Sequence, residues 1–345
     1  MSSLAPYAAP CVRACALRST LLKPQEWHDL VAMDSIESIM AWLKERGVLP
    51  EDTPDIATAE RTAHAAVIHS SSALLRFARG EVSDLLRCFL HYYDLINLES
   101  VIQRIHAMAD GEQAQGLPYD TGALGLFEAS LGDATNYAAL TRMLQNSPFA
   151  AAYEEGLRRY YEDEDVSRLV EGIELAFFAE WVAAAQRCGF MLKNGTDGSG
   201  LAVFLVGRII EAAVRLKVHR GAETSRVVEW LSLVADDRVL DACLDALTGE
   251  ADDAAVMTVA GHLLPTSLLA KVPPGRGSAR DALARLRVLV LRRVIKAGRG
   301  ITFSADFLTS FLILQIYQAL ELTLVLESKE TGISDVAFAY GEVAA

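Results

Sequence analysis

Three landmarks recur along this chain in a fixed order, about 100 to 110 residues apart. Each recurrence begins with a polar residue that opens a helix and closes with a glycine suited to cap a helix C-terminus. The openings are Asp34, Thr135 and Asp236, and the closing glycines are Gly111, Gly221 and Gly332. Landmarks that recur in order at a fixed spacing are the sequence signature of internal repeats. The chain is therefore predicted to contain three homologous helical repeats, over residues 1–112, 113–222 and 223–345. If the terminal segments interleave, these ranges describe repeats and not compact bodies.

The hydrophobic pattern predicts an all-α class. Apolar residues recur with helical spacing along the chain, and no sustained alternation typical of β-hairpins is found. Of the 345 residues, 52% are hydrophobic and 22% are charged, which favours densely packed helices over a disordered chain.

The most specific segment is Cys88 to Arg104, a predicted helix with a broad apolar face. Asp94, Asn97 and Arg104 share one side of that helix, because positions three, four and seven apart lie above one another. Polar groups on a buried face need partners, so we predict that the three residues form a structural polar cluster inside the protein rather than a reactive site.

The other two predicted repeats carry different polar residues at the corresponding positions. The second repeat has Arg208 and Glu211, three residues apart. The third has Gln315, Gln318 and Glu321 with the same spacing, and Lys329 precedes its closing glycine.

Charge and cysteine content indicate which partners and which cellular compartment to expect. The net charge of −13 repels nucleic acid, and the sequence shows no strong basic patch that would overcome it. Five cysteines without CxxC spacing are predicted to be buried thiols in a reducing cytoplasm. Arg13 and Arg18 interrupt the early apolar stretch, so no secretory signal is predicted.

The segment from Phe307 to Leu326 has the length of a membrane span and carries one charge. Gln315, Gln318 and Glu321 would be costly in lipid, so we predict a buried core helix and no direct bilayer span.

Several patterns resemble enzyme or metal sites but are predicted to have structural roles instead. His64 and His69 are five apart, which does not place both on one helix face as a zinc motif requires. The run from Asp236 to Asp241 has the spacing DDxxxD and not the DDxxD of diphosphate-binding synthases, and aspartates also cap helix N-termini. The segment from Pro273 to Ser278 lacks the GK[ST] ending of a phosphate loop. No catalytic residue, metal site or cofactor is predicted.

Tyr93, Asp94, two further residues and Asn97, with Arg104 two turns on, resemble the signature helix of the C subunit of V/A-type rotary ATPases, the counterpart of the eukaryotic V-ATPase d subunit. The resemblance extends from the segment around Tyr7 to the closing helix, although the second and third repeats lack the Asp/Asn pair.

This resemblance implies three helical domains arranged as a funnel or socket on the cytoplasmic face of the membrane. Its partners would be the proteolipid subunits of the membrane rotor ring and the central shaft subunits of D and F type. The implied function is non-catalytic transmission of torque in ATP-coupled ion transport. The alternative is a stand-alone helical scaffold of the same fold that docks other proteins.

Overall fold

A computed structural model describes residues 5–109, 119–127, 129–193, 198–220, 222–248, 252–270 and 277–332. Within these ranges the regular structure is helical apart from one isolated antiparallel bridge between Asp252 and Ser278, which confirms the all-α class. The α-helices are α1 (Ala5–Leu17), α2 (Pro24–Ala32), α3 (Ile36–Glu45), α4 (Ile56–Leu75), α5 (Glu81–Ala109), α6 (Tyr137–Leu144), α7 (Ala150–Asp163), α8 (Val166–Arg187), α9 (Gly200–Arg220), α10 (Thr224–Leu231), α11 (Asp237–Leu247), α12 (Asp253–Leu263), α13 (Thr266–Leu269), α14 (Ala279–Ala297) and α15 (Ala305–Thr331). Short 3₁₀ helices cover Arg18–Thr20, Gly122–Leu124 and Ala129–Asp133.

The chain divides into two compact units. The terminal unit comprises residues 1–78 and 185–345, and the middle unit comprises residues 79–184. These units are not the three predicted repeats, because the first and last parts of the chain fold together in the terminal unit. The three repeats therefore stay a prediction about the sequence.

Helix α15 is the centre of the terminal unit. It packs against α1, α3, α4, α9 and α14, and its buried side chains come from every side of the helix. It is long and apolar enough to cross a membrane, but 78% of its most apolar window is buried in the terminal unit. A helix that is apolar all round and surrounded by other helices is typical of the core of a large helical unit.

The middle unit is built around aromatic packing between α5 and α8. Trp181 lies with its ring centroid 5.0 Å from that of Phe89 and 5.3 Å from that of Phe177, in edge-on and tilted arrangements. Such pairs contribute about 0.5–1.5 kcal/mol beyond the burial of their surface. One face of α5 therefore packs against α8. The polar residues of α5 contact other parts of the middle unit.

The helix openings differ slightly from the prediction. Asp236 caps α11 as expected, since its side chain accepts a hydrogen bond from the amide of Val239. Asp34 and Thr135 were each predicted one residue too early, because Ser35 caps α3 and Asn136 caps α6. Adjacent polar residues compete for the cap position, and local sequence does not distinguish them.

The cysteines are only partly as predicted. All five are thiols outside any disulfide, and Cys11, Cys88 and Cys243 are buried. Cys15 is exposed and Cys188 is partly exposed, so the prediction that all five are buried was wrong for these two.

Candidate functional site

The first candidate site is the polar side of α5, where Asp94 is completely buried. Its carboxylate accepts two hydrogen bonds, one from the Thr121 hydroxyl at 2.7 Å and one from the Leu126 amide at 2.9 Å. Burial raises the pKa of Asp94 above its usual value, and these two donors act in the opposite direction by stabilising the carboxylate. The group is thus a structural acceptor held by two fixed donors.

Asn97 and Arg104 bind two further points of the segment that follows α5 in the chain and also contacts Asp94. The Asn97 side-chain amide donates to the Tyr119 carbonyl at 2.6 Å, and the Tyr119 amide donates back to the Asn97 oxygen. The Arg104 guanidinium donates to the carbonyls of Gly132 at 2.6 Å and Ala134 at 3.1 Å. Each of the three predicted polar residues therefore contacts the chain between residues 119 and 134.

These contacts take the place of the backbone hydrogen bonds that a helix or a strand would make within itself or with a neighbour. The described part of the segment 119–134 has two short 3₁₀ helices and otherwise irregular backbone. Buried backbone amides and carbonyls without partners are costly, so side chains from α5 satisfy several of them. We call this set of contacts (Asp94, Asn97 and Arg104 with residues 119–134) the α5 clamp.

Gly125 completes the α5 clamp by having no side chain. A Cβ atom at this position would overlap the Thr121 side chain and approach the Asp94 carboxylate to 3.1 Å. The closeness of Thr121 to the Gly125 backbone therefore requires glycine here, independently of backbone torsion angles.

Arg208 and Glu211, which belong to the predicted second repeat, form an ion pair at 3.0 Å on α9. Arg287 on α14 also bonds the Glu211 carboxylate. Burial alone would raise the pKa of Glu211, but the charges of Arg208 and Arg287 outweigh it and lower that pKa. This cluster ties α9 to α14 within the terminal unit.

The polar residues of the predicted third repeat all lie on α15. Gln318 accepts from the Leu22 amide at 2.7 Å and donates to the Thr20 carbonyl at 3.2 Å, which fastens the chain after α1 to α15. Gln315 and Glu321 are buried, and Lys329 is half-buried in the last turn. Gln318 thus has the same kind of partner as the residues of the α5 clamp, namely backbone groups of a segment between helices.

Of the three predicted capping glycines, Gly332 lies within the described residues. It follows α15 with φ of +69°, a left-handed conformation that favours glycine. Gly111 and Gly221 lie outside the described residues, as does most of the segment from Pro273 to Ser278.

Several residues of these sites were not identified from the sequence. Thr121, Gly125 and Arg287 lie far along the chain from the helices they contact, in segments with no distinctive pattern. No group of three or more histidine, cysteine or acidic side chains in the described ranges is arranged to hold a metal ion. The polar side chains of α5, α9 and α15 described here thus bind other helices or the segments between helices.

Comparison with known proteins gives two results. Residues 10–195 match the sequence model of the family described as ATP synthase (C/AC39) subunit. The C subunit of the A-type ATP synthase of Methanosphaera stadtmanae is 23% identical over 173 residues, which are 50% of this chain and 45% of that protein. The chain thus spans about half the length of the curated relative that it matches.

Proposed function

Because the chain belongs to the ATP synthase (C/AC39) subunit family, we propose that it is the central-stalk subunit joining the rotating shaft to the membrane rotor ring of a V/A-type ATPase. In this function it transmits torque between ATP turnover and ion transport and carries out no chemical step itself. Its partners would be the ring proteolipid subunits on one side and the shaft subunits of D and F type on the other. It would be located on the cytoplasmic face of the membrane.

The family match over residues 10–195 is the observation that carries this proposal. The matched range includes α5 with Asp94, Asn97 and Arg104, together with the segment that these residues hold. The part of the chain with the most specific sequence pattern is therefore inside the match.

The α5 clamp fits a subunit that must transmit force without yielding. Irregular segments are normally among the least stable parts of a protein, since few contacts oppose their local opening. In the middle unit, hydrogen bonds from three side chains of one long helix oppose that opening along residues 119–134. We propose that the polar residues of all three repeats are structural in this sense.

A peripheral position on the membrane is favoured over a membrane-spanning one by α15. Its polar residues Gln315 and Glu321 are buried among other helices of the terminal unit, and side chains of this kind would be costly in lipid. The rotor ring would then be bound through protein contacts, which must be extensive for a joint that bears torque.

The test is an affinity purification of the tagged full-length chain from membranes of its own organism in mild detergent, followed by mass spectrometry of the co-purifying proteins. We expect a small ring proteolipid and a coiled-coil shaft subunit to be recovered together. An equally expressed, equally tagged helical protein from the same cells is the control. Recovery of neither subunit with a correctly folded bait contradicts the proposal and favours the stand-alone scaffold.

A further inference from the structure

A cationic pocket lies in the terminal unit between the chain leading into α2 and the C-terminal end of α14. It has a volume of 460 Å³, within the range of pockets that bind small molecules. We call it the cationic pocket and define it by Arg18, Lys23, Arg46 and Arg299 at its rim and by Leu21, Leu22, Ile295 and Leu314 among its apolar lining.

The fold brings the four cations together from separate parts of the sequence, since Arg18 and Lys23 are near neighbours but Arg46 and Arg299 are not. Arg18 is held in place because its guanidinium donates to the Gly298 carbonyl at 2.8 Å, at the end of α14. Arg46 is held by a hydrogen bond to the Glu26 carboxylate at 2.6 Å. Lys23 and Arg299 are exposed at the rim. The sequence analysis did not identify this group of cations, because they lie in separate parts of the chain.

The positive charge of the pocket is only partly neutralised. No aspartate or glutamate is among the described residues that line it, and Glu26, which pairs with Arg46, lies just outside the lining. Burial would raise the pKa of Glu26, yet Arg46 and the backbone amide of Lys23 lower it overall. Four cations against one carboxylate leave a local excess of positive charge in a chain whose net charge is −13.

We propose that the cationic pocket binds a phosphate group joined to an apolar body. Arginine and lysine at the rim supply charge-assisted hydrogen bonds to phosphate oxygens. The leucine and isoleucine side chains below them offer surface that only an apolar group can cover favourably. Neither inorganic phosphate nor a neutral apolar molecule uses both parts of this lining.

Phosphate suits the pocket better than a single carboxylate does. One carboxylate carries a single negative charge on two oxygens, both of which one arginine can bond in a bidentate pair. A phosphate monoester carries about −1.5 to −2 charge and three acceptor oxygens, which suits a lining that contains several cations. The inference concerns a small-molecule site and is independent of the partners proposed above.

The test uses monohexyl phosphate as the probe and isothermal titration calorimetry with the full-length protein. Inorganic phosphate and 1-hexanol represent the two halves of the probe and are titrated separately. We expect monohexyl phosphate to bind at least about tenfold more tightly than either half, since each half uses only one part of the lining.

Paired variants locate the binding site. Lys23→Gln combined with Arg299→Gln removes the two exposed rim cations, and we expect binding to weaken about tenfold or more, because hydrogen bonds to charged groups are among the stronger ones. Lys296→Gln is the matched control, since Lys296 is exposed on α14 but does not line the pocket. All these side chains are exposed, so the variants are expected to keep the melting temperature of the unmodified protein.

The source of the ligand is tested separately by flotation with phosphatidylcholine vesicles, with and without phosphatidic acid. Flotation that needs phosphatidic acid and is lost in the Lys23→Gln, Arg299→Gln variant identifies a lipid headgroup as the source. Calorimetric binding without flotation identifies a soluble phosphate ester. Either result supports the proposal.

Two outcomes would overturn it. One is that monohexyl phosphate binds no more tightly than inorganic phosphate. The other is that the double variant and Lys296→Gln bind the probe as tightly as the unmodified protein does, which would place binding elsewhere.

Discussion

Replacement of Asp94 by alanine tests the α5 clamp most directly. The substitution removes the acceptor for both the Thr121 hydroxyl and the Leu126 amide. An unsatisfied buried donor costs about 1–3 kcal/mol. Part of this loss is offset, because the raised pKa of Asp94 indicates that burial of its charge is itself unfavourable. We expect a net loss of about 3 kcal/mol in the free energy of unfolding.

Thermal unfolding followed by circular dichroism measures the loss. At about 2–4 °C per kcal/mol, the melting temperature of the Asp94→Ala protein should fall by roughly 6–12 °C. Hydrogen–deuterium exchange with mass spectrometry locates the loss. We expect the substitution to increase the exchange rate, relative to the unmodified protein, more in residues 119–127 than in α8. Asp94→Asn should cost less, since its oxygen still accepts one of the two hydrogen bonds.

Two controls decide whether the α5 clamp is the cause. Asp84→Ala makes the same change on the same helix at an exposed position, and it should cost under about 1 kcal/mol. In a double-mutant cycle, Thr121→Val should cost much less in the Asp94→Ala background than alone, with a coupling of about 1 kcal/mol or more. If Asp94→Ala behaves like Asp84→Ala and exchange in residues 119–127 is unchanged, the reasoning is refuted.

Three further predictions concern other positions. Gly125→Ala should lower the free energy of unfolding by about 2 kcal/mol, because the added Cβ overlaps its surroundings. Gly132→Ala is the control and should change that free energy little, since its Cβ would meet open space. Urea unfolding measures both. Glu211→Gln should cost about 2 kcal/mol at pH 7, since it removes the carboxylate bonded by Arg287. Because the folded pKa of Glu211 is lowered, that cost should be present above the unfolded pKa and disappear as the pH falls through the folded one; a pH-independent difference in urea midpoint would contradict this. Burial lowers the pKa of His64 from 6.5 to about 4, so the unfolded state takes up the proton first and stability should fall between these pH values; His64→Gln should remove that part of the slope in urea midpoint against pH, and an unaltered slope would contradict burial of the neutral ring.

The sequence alone was sufficient for the helices and for the buried face of α5. Helical periodicity is local, so it predicted the all-α class. The same spacing placed Asp94 and Asn97 on the inner side of their helix, and both are buried. Cap positions were predicted to within one residue, because polar residues next to each other can each cap a helix.

The partners of the polar residues depended on the tertiary structure. Asp94 contacts Thr121, and Glu211 contacts Arg287, across long stretches of chain whose local pattern does not indicate the contact. The prediction that buried polar groups must have partners follows from the cost of leaving them unpaired, but that cost does not identify the partner.

The sequence determined that this chain forms long amphipathic and apolar helices with a polar pattern on α5 resembling one subunit family, because helix period and side-chain polarity act over a few residues. Only the tertiary structure decided that residues 1–78 fold with residues 185–345, and that Arg18, Lys23, Arg46 and Arg299 surround one pocket in an acidic chain. Net charge is a sum over the whole sequence, whereas the local potential depends on which charges the fold brings together.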